Sequence, residues 1–159
     1  MTPPSSARTT ILARELGATH VVNSREEDPV ARVREITERG ADFALECSGR
    51  AEVLRQAIDC LGIFGTCGIV GATKEGTEVA FNVNEVMIPG RRIMGIVQGD
   101  VVAKTFIPVL INLYKQGRFP FDRLVRFYDF DDINQAVEDS EKGITIKPIL
   151  RIAAGSVAV

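Results

Sequence analysis

Between residues 41 and 72 the sequence spells strand, helix and strand, and that unit limits what the remaining chain can build around it. Asp42-Phe-Ala-Leu-Glu-Cys47 is a short apolar run, broken by Ser48-Gly49. Val53, Leu54, Ala57, Ile58 and Leu61 then recur on one helical face. Gly65-Thr-Cys-Gly-Ile-Val-Gly71 is a second apolar run closed by glycine. Two parallel strands joined by a helix in about thirty residues form a βαβ unit, with a right-handed crossover as the rule. In an open α/β sheet, ligands bind outside the carboxyl ends of the strands. The places to look are therefore residues 47–50 and 70–73.

The flanking sequence repeats the alternation. Residues 9–16 have helical spacing and stop at Gly17, and Thr19-His-Val-Val-Asn23 is a short β-rich run. Asp28-Pro29 is a helix entrance, leading through Val30, Val33 and Ile36 to a stop near Gly40. Residues 79–83 read as extended and residues 84–88 as one helical turn. Arg92-Ile-Met-Gly-Ile-Val97 is a buried-type strand ended by Gln98-Gly99-Asp100. A long amphipathic helix follows over residues 101–116 despite Pro108. Residues 125–128 read as a short strand, 131–142 as a helix capped by Asp131, and 145–152 as a last strand. This pattern predicts an α/β fold with a mainly parallel sheet and flanking helices.

Composition bounds the function. A chain of 159 residues is one domain by length, and 45% hydrophobic with 25% charged residues is ordinary for a globular protein. A net charge of -2 argues against nucleic acid or an anionic membrane as main partner. No apolar run is long enough to span a bilayer, and the first residues have no signal-peptide core. Cys47, Cys60 and Cys67 are an odd number without a C-x-x-C pair, which favours reduced, buried thiols in a cytoplasm over disulfides or a cysteine zinc site.

No catalytic centre is visible in the residues alone. The spacing G-x-G-x-x-G is absent. Gly62, Gly65, Gly68 and Gly71 recur every third residue, yet they precede or lie within a strand and read as turn and close-packing positions. Gly71 also sits where a strand leaves the sheet, so two readings stay open: a plain turn, or backbone approaching a flat ligand ring. His20 has no partner at metal-ligand spacing. Glu26, Glu27 and Asp28, like Asp129, Asp131 and Asp132, read as helix-start charges.

At Ala13-Arg-Glu-Leu-Gly-Ala-Thr-His-Val-Val-Asn23, across residues 42–49 and across residues 65–71, the chain resembles the zinc-dependent medium-chain alcohol dehydrogenases. Phe106-Ile-Pro, Phe119-Pro-Phe121, Phe130-Asp-Asp-Ile-Asn-Gln-Ala136 and Gly143-Ile-Thr-Ile-Lys-Pro148 are most similar to the aryl- or benzyl-alcohol members. The resemblance runs over residues 7–152 and implies a C-terminal part only, without the catalytic-zinc ligands, the glycine-rich turn or the first two strands of the cofactor sheet. It implies a partial Rossmann-like dinucleotide-binding domain over residues 1–124, a segment of the catalytic domain over 125–152, and a tail over 153–159.

The resemblance further implies NAD as cofactor, with zinc in the parent family but no ligand for it here. Val70, Gly71 and Ala72 match the turn beneath the nicotinamide. Ile96, Val97 and Gln98 match the strand end whose backbone binds the carboxamide, Lys147 a basic position at the pyrophosphate, and Ser48, Gly49 and Arg50 the loop near the adenosine half. The implied activity is hydride transfer between an aromatic or other primary alcohol, or its aldehyde, and nicotinamide, with this chain inactive alone. Two alternatives are a non-catalytic dimerising or nucleotide-binding remnant and a zinc-free quinone reductase relative. A homodimer through the edge strand Arg92-Ile-Met-Gly-Ile-Val97 is implied as well.

Strand order adds one more expectation. In a 3-2-1-4-5-6 sheet, residues 19–23 would be the third strand and 42–47 the fourth, with the intervening two absent. Residues 19–23 would then pair directly with 42–47, be mobile, or leave a gap for another chain. Direct pairing is the expected outcome, because it satisfies one backbone edge.

Overall fold

The computed structural model describes residues 5–152. The chain divides into two compact units, one of residues 22–102, the other of residues up to Val21 together with those from Ala103 onward.

In the first of these, helix α2 (Pro29–Thr37) starts as its sequence requires. Asp28 Oδ1 accepts from the N–H of Val30 at 2.8 Å and of Ala31 at 3.3 Å, and Pro29 fills the first helical turn. Strands β1 (Ala41–Glu46), β2 (Leu61–Ile69) and β3 (Arg92–Gly95) form one parallel sheet in the order β1-β2-β3. Helix α3 (Ala51–Asp59) makes the crossover between β1 and β2. It lays Leu54 and Ile58 against Leu61 and Cys67, and Ala44, Ile69, Val79, Val86 and Ile93 close the core around them. Val86 comes from the short helix α4 (Val83–Met87), whose start is capped by the Asn82 side chain.

The opposite face of the sheet is bare. Phe43 is 82% exposed and Leu45 62%, and both flank a shallow apolar hollow with Gly68, Met94 and Ile96. Near its start β2 bulges. While β1 advances from Ala41 to Phe43, its partners run from Leu61 to Thr66. Phe64 sits in this bulge at φ +59° and donates its N–H to Pro89 O.

The other unit holds α1 (Ser5–Glu15), α5 (Ala103–Lys115), β4 (Val125–Asp129), α6 (Ile133–Glu141) and β5 (Lys147–Arg151). Strands β4 and β5 pair in parallel, Val125 opposite Lys147. Tyr128 Oη lies 2.7 Å from Asp139 Oδ2 and 2.6 Å from Thr145 Oγ1. A carboxylate only accepts, so Tyr128 donates to Asp139 and Thr145 donates to Tyr128. Gln135 Nε2 and Arg126 Nη1 complete the ring of donors around Asp139, at 2.8 and 3.2 Å.

Four expectations are corrected. Residues 19–23 form no strand, and no described strand pairs with the outer edge of β1. A β-branched run becomes a strand only with a ladder partner. Here Asn23 is committed to a turn, its carbonyl accepting from Glu26 and Glu27 and its side chain from Arg25. Helix α6 is preceded by a 3-10 turn over Phe130–Asp132, so its cap falls on Asp132 rather than Asp131, and no side chain bonds the cap. Leu61 opens β2 instead of ending the crossover helix. Cys60 and Cys67 are buried as expected, whereas Cys47 is exposed.

Candidate functional site

The carboxyl ends of β1, β2 and β3 lie side by side because the strands are parallel and adjacent. Residues 47–50 leave β1, residues 70–73 leave β2, and residues 96–98 leave β3. Sequence reasoning named all three segments, and the structure brings the first two into contact. Gly49 has φ +69°, and a Cβ there would collide with Ala72 O. A Cβ on Gly71 would collide with Gly49 N and would lie 2.8 Å from Gly49 Cα and 2.7 Å from Glu46 Oε2. Glycine at both positions lets two backbones close on one another.

What ties them is Glu46, the last residue of β1, which is 1% exposed. Its Oε1 accepts from Ser48 N at 2.6 Å, Ser48 Oγ at 2.5 Å and Gly49 N at 3.0 Å. Its backbone oxygen accepts from Val70 N at 2.9 Å and Gly71 N at 3.0 Å. The Ser48 hydroxyl, helped by the N–H groups of Ser48, Gly49 and Arg50, holds this carboxyl below the usual glutamate range even though burial pushes the other way. The sequence reading passed over Glu46. Its one signal was a charged residue directly after the apolar run Phe43-Ala-Leu45.

The remaining named residues are placed as follows. Arg50 occupies the N-cap position of α3 and is ion-paired with Glu52. The N–H of Ile96 is taken by Ile69 O at 2.9 Å, while Val97 and Gln98 are exposed. Gln98, Gly99 and Asp100 all have positive φ, at +51°, +69° and +52°, a run of left-handed residues at the end of β3. For the two non-glycine members this is a costly conformation of the kind that collects at ligand-binding turns. Lys147, the first residue of β5, is exposed and belongs to the other unit.

Burial pushes both the Cys60 and Cys67 thiols up, and the Glu46 carboxylate adds to this at Cys67, so neither is an activated nucleophile. Among the described residues no group of three or more His, Cys, Asp and Glu side chains is placed to hold a metal ion. The donor set therefore does not fit zinc.

A parallel βαβ sheet with glycine-lined loops outside its strand ends is the architecture of ligand-binding α/β domains. A profile described as zinc-binding dehydrogenase matches residues 4–116. The chain belongs to that family. It is 53% identical to benzyl alcohol dehydrogenase from Acinetobacter calcoaceticus, with a TM-score of 0.89 over 92% of this chain and 41% of that one. It is 56% identical to an alcohol dehydrogenase zinc-binding domain protein from Burkholderia ambifaria, again at a TM-score of 0.89, over 92% and 40% of the two chains. Geraniol dehydrogenase of Castellaniella defragrans is 37% identical over 148 residues, which are 92% of this chain and 39% of that protein. The chain thus spans about two fifths of the length of these relatives. The α/β fold and the resemblance to aryl- and benzyl-alcohol dehydrogenases expected from sequence are both borne out.

Proposed function

We propose that this chain forms part of the NAD site, chiefly its nicotinamide side, of an alcohol dehydrogenase acting on an aromatic or other primary alcohol. The observation that carries this reading is the meeting of residues 48–50 with residues 70–72 at the carboxyl end of a parallel sheet, beside the strained turn at residues 98–100. The names of the benzyl alcohol and geraniol relatives support the alcohol class.

When bound, NAD supplies the hydride acceptor for the alcohol carbon. Val70, Gly71 and Ala72 would pass beneath the nicotinamide. The Ile96 N–H is already used within the sheet and the Val97 carbonyl accepts from Asp100, so Ile96, Val97 and Gln98 would meet the cofactor through their other backbone groups. Ser48, Gly49 and Arg50 would line the adenosine half. No step is assigned to zinc in this chain, whose described residues do not assemble a ligand set. In a zinc-dependent alcohol dehydrogenase, metal and orienting groups act as a unit in hydride transfer, and loss of members of such a unit is strongly non-additive. We therefore assign no turnover to the chain as it stands. A cytoplasmic location fits its free thiols, and no described helix is long and apolar enough to cross a membrane.

Two measurements test this. NADH added to the isotope-labelled chain should shift the amide resonances of residues 48–50, 70–72 and 97–98, and an unchanged spectrum at saturating NADH would defeat the reading. Purified chain with NAD, benzyl alcohol and zinc should give no NADH above buffer. Turnover that a chelator abolishes would refute the assignment of inactivity.

A further inference from the structure

We propose that Glu46 is a positioning residue, whose buried carboxylate and backbone carbonyl together hold the two cofactor loops, residues 48–50 and 70–72, in one fixed arrangement. The inference rests on the reading that these loops receive the dinucleotide, and it assigns the agent that shapes them.

Three features of the geometry single Glu46 out. It ends β1, so its side chain reaches the loop that follows while its carbonyl still points along the sheet to β2. That carbonyl takes both Val70 N–H and Gly71 N–H, which turns the chain out of β2 at a set point. Its side chain meanwhile binds both the backbone and the hydroxyl of Ser48 and the N–H of Gly49, which folds the first loop back over the strand end. The two actions meet at Gly71, where the space a Cβ would take is closed by Glu46 Oε2 and the Gly49 backbone together. Each loop therefore forms a wall against which the other rests.

The chemistry of the group suits this task. The carboxylate of Glu46 accepts from three donors at one oxygen, and the Gly49 N–H also lies 3.2 Å from the other. Hydrogen bonds to an ionised acceptor are roughly twice as strong as neutral ones. Glutamine at this site would keep one oxygen for Ser48 and Gly49. Its amide nitrogen would stand where Oε2 now faces Gly71 and Gly49, which offer it no acceptor. Alanine would remove the side-chain half of the clamp, leaving the backbone bonds from Val70 and Gly71 in place.

The test uses the full chain, the variants Glu46→Gln and Glu46→Ala, amide exchange without ligand, and NADH titration. In Glu46→Ala, exchange at Ser48 and Gly49 should quicken about tenfold or more, the factor implied by losing one charge-assisted hydrogen bond. Leu54, Ile58 and Cys67 should keep their protection. Glu46→Gln should lie between the two at Ser48 and Gly49 and should bind NADH more weakly than the unsubstituted chain, with core protection unchanged. That pairing separates positioning from general stability, since loss of stability alone would quicken core and loops alike. Unchanged loop exchange in a folded Glu46→Ala overturns the proposal. Should Glu46→Ala fail to fold, Glu46→Gln decides, and wild-type exchange at Ser48 and Gly49 with wild-type NADH affinity overturns it. If the unsubstituted chain does not bind NADH, the cofactor reading falls and the role of Glu46 toward a cofactor falls with it. Loop exchange then still decides whether Glu46 holds the two loops.

Discussion

Two buried carboxylates, Glu46 and Asp139, are each held in the ionised form by donors from their own unit. At Asp139 the Tyr128 hydroxyl has the largest effect, followed by the Gln135 amide, and the charges of Arg126 and Lys142 add to it against the opposing effect of burial. Both folded carboxyls lie below their usual values, so both contribute stability that is complete above the ordinary range, 3.8 for aspartate and 4.5 for glutamate. The contribution fades as pH falls through the lowered folded values. Wild type should accordingly be more heat-stable than Asp139→Asn near neutrality, and the difference should shrink on acidification from about pH 6 to about pH 3. A gap between the two melting curves that stays constant over that range would contradict this assignment. At Gly71 the expected effect is steric. Gly71→Ala sets a methyl against the Gly49 backbone, which cannot yield cheaply, and should cost about 1–3 kcal/mol in urea denaturation. Gly95→Ala, with nothing within 4 Å of its Cβ, should stay within about 0.5 kcal/mol of wild type.

At the scale of elements, α3 is what makes the sheet cohere. It covers one face with Leu54 and Ile58, and without it Leu61 and Cys67 would face water. Ile58 is 2% exposed, so Ile58→Ala leaves a cavity that the surrounding β-strands close only in part. We expect a loss of about 2–5 kcal/mol, read as a lower urea midpoint with an unchanged slope. A loss under about 0.5 kcal/mol, the range of surface substitutions, would show that α3 is not the seat of the core. Helix α5 has the opposite character. It is apolar in composition, carries Pro108 inside and has no buried residue, so it contributes no comparable core.

On the scale of the whole molecule, the bare face and the free edges of the three-stranded sheet dominate. Parallel sheets are ordinarily covered on both faces, yet here Phe43, Leu45 and Met94 remain exposed opposite α3. Among the described residues β3 pairs only with β2, so the outer row of backbone groups on β3 is unpaired. An exposed, partly apolar edge is a template for another strand, and the same edge of a second copy offers a self-complementary partner. We propose that the chain associates as a two-fold dimer through residues 92–97. Sedimentation at micromolar concentration should give twice the mass of 17.3 kDa, and Met94→Lys, placed on that strand, should shift the equilibrium toward monomer. A clean monomer for the unsubstituted chain across that range would rule the dimer out.

Periodicity and turn chemistry were sufficient, from sequence alone, to place α2 with its Asp28 cap, the crossover helix α3, the strands on either side of it, and the loops where a ligand would sit. These features are local. They depend on residues within one or two turns of each other, and the spacing of Val53, Leu54, Ala57 and Ile58 states them directly. Tertiary structure decided the rest, because the rest depends on what distant residues offer. Residues 19–23 have strand propensity, but a strand exists only where a neighbour supplies its hydrogen bonds, and none of the described strands does. Cys47 lies beyond the end of β1 and is exposed, while Cys60 is buried at the C-cap of α3 and Cys67 in the core that α3 covers. Glu46 reads as a misplaced charge in an apolar run until the fold brings Ser48, Gly49 and Gly71 around it, because the donors that keep a buried carboxylate ionised come from two loops that only pairing of β1 with β2 sets side by side.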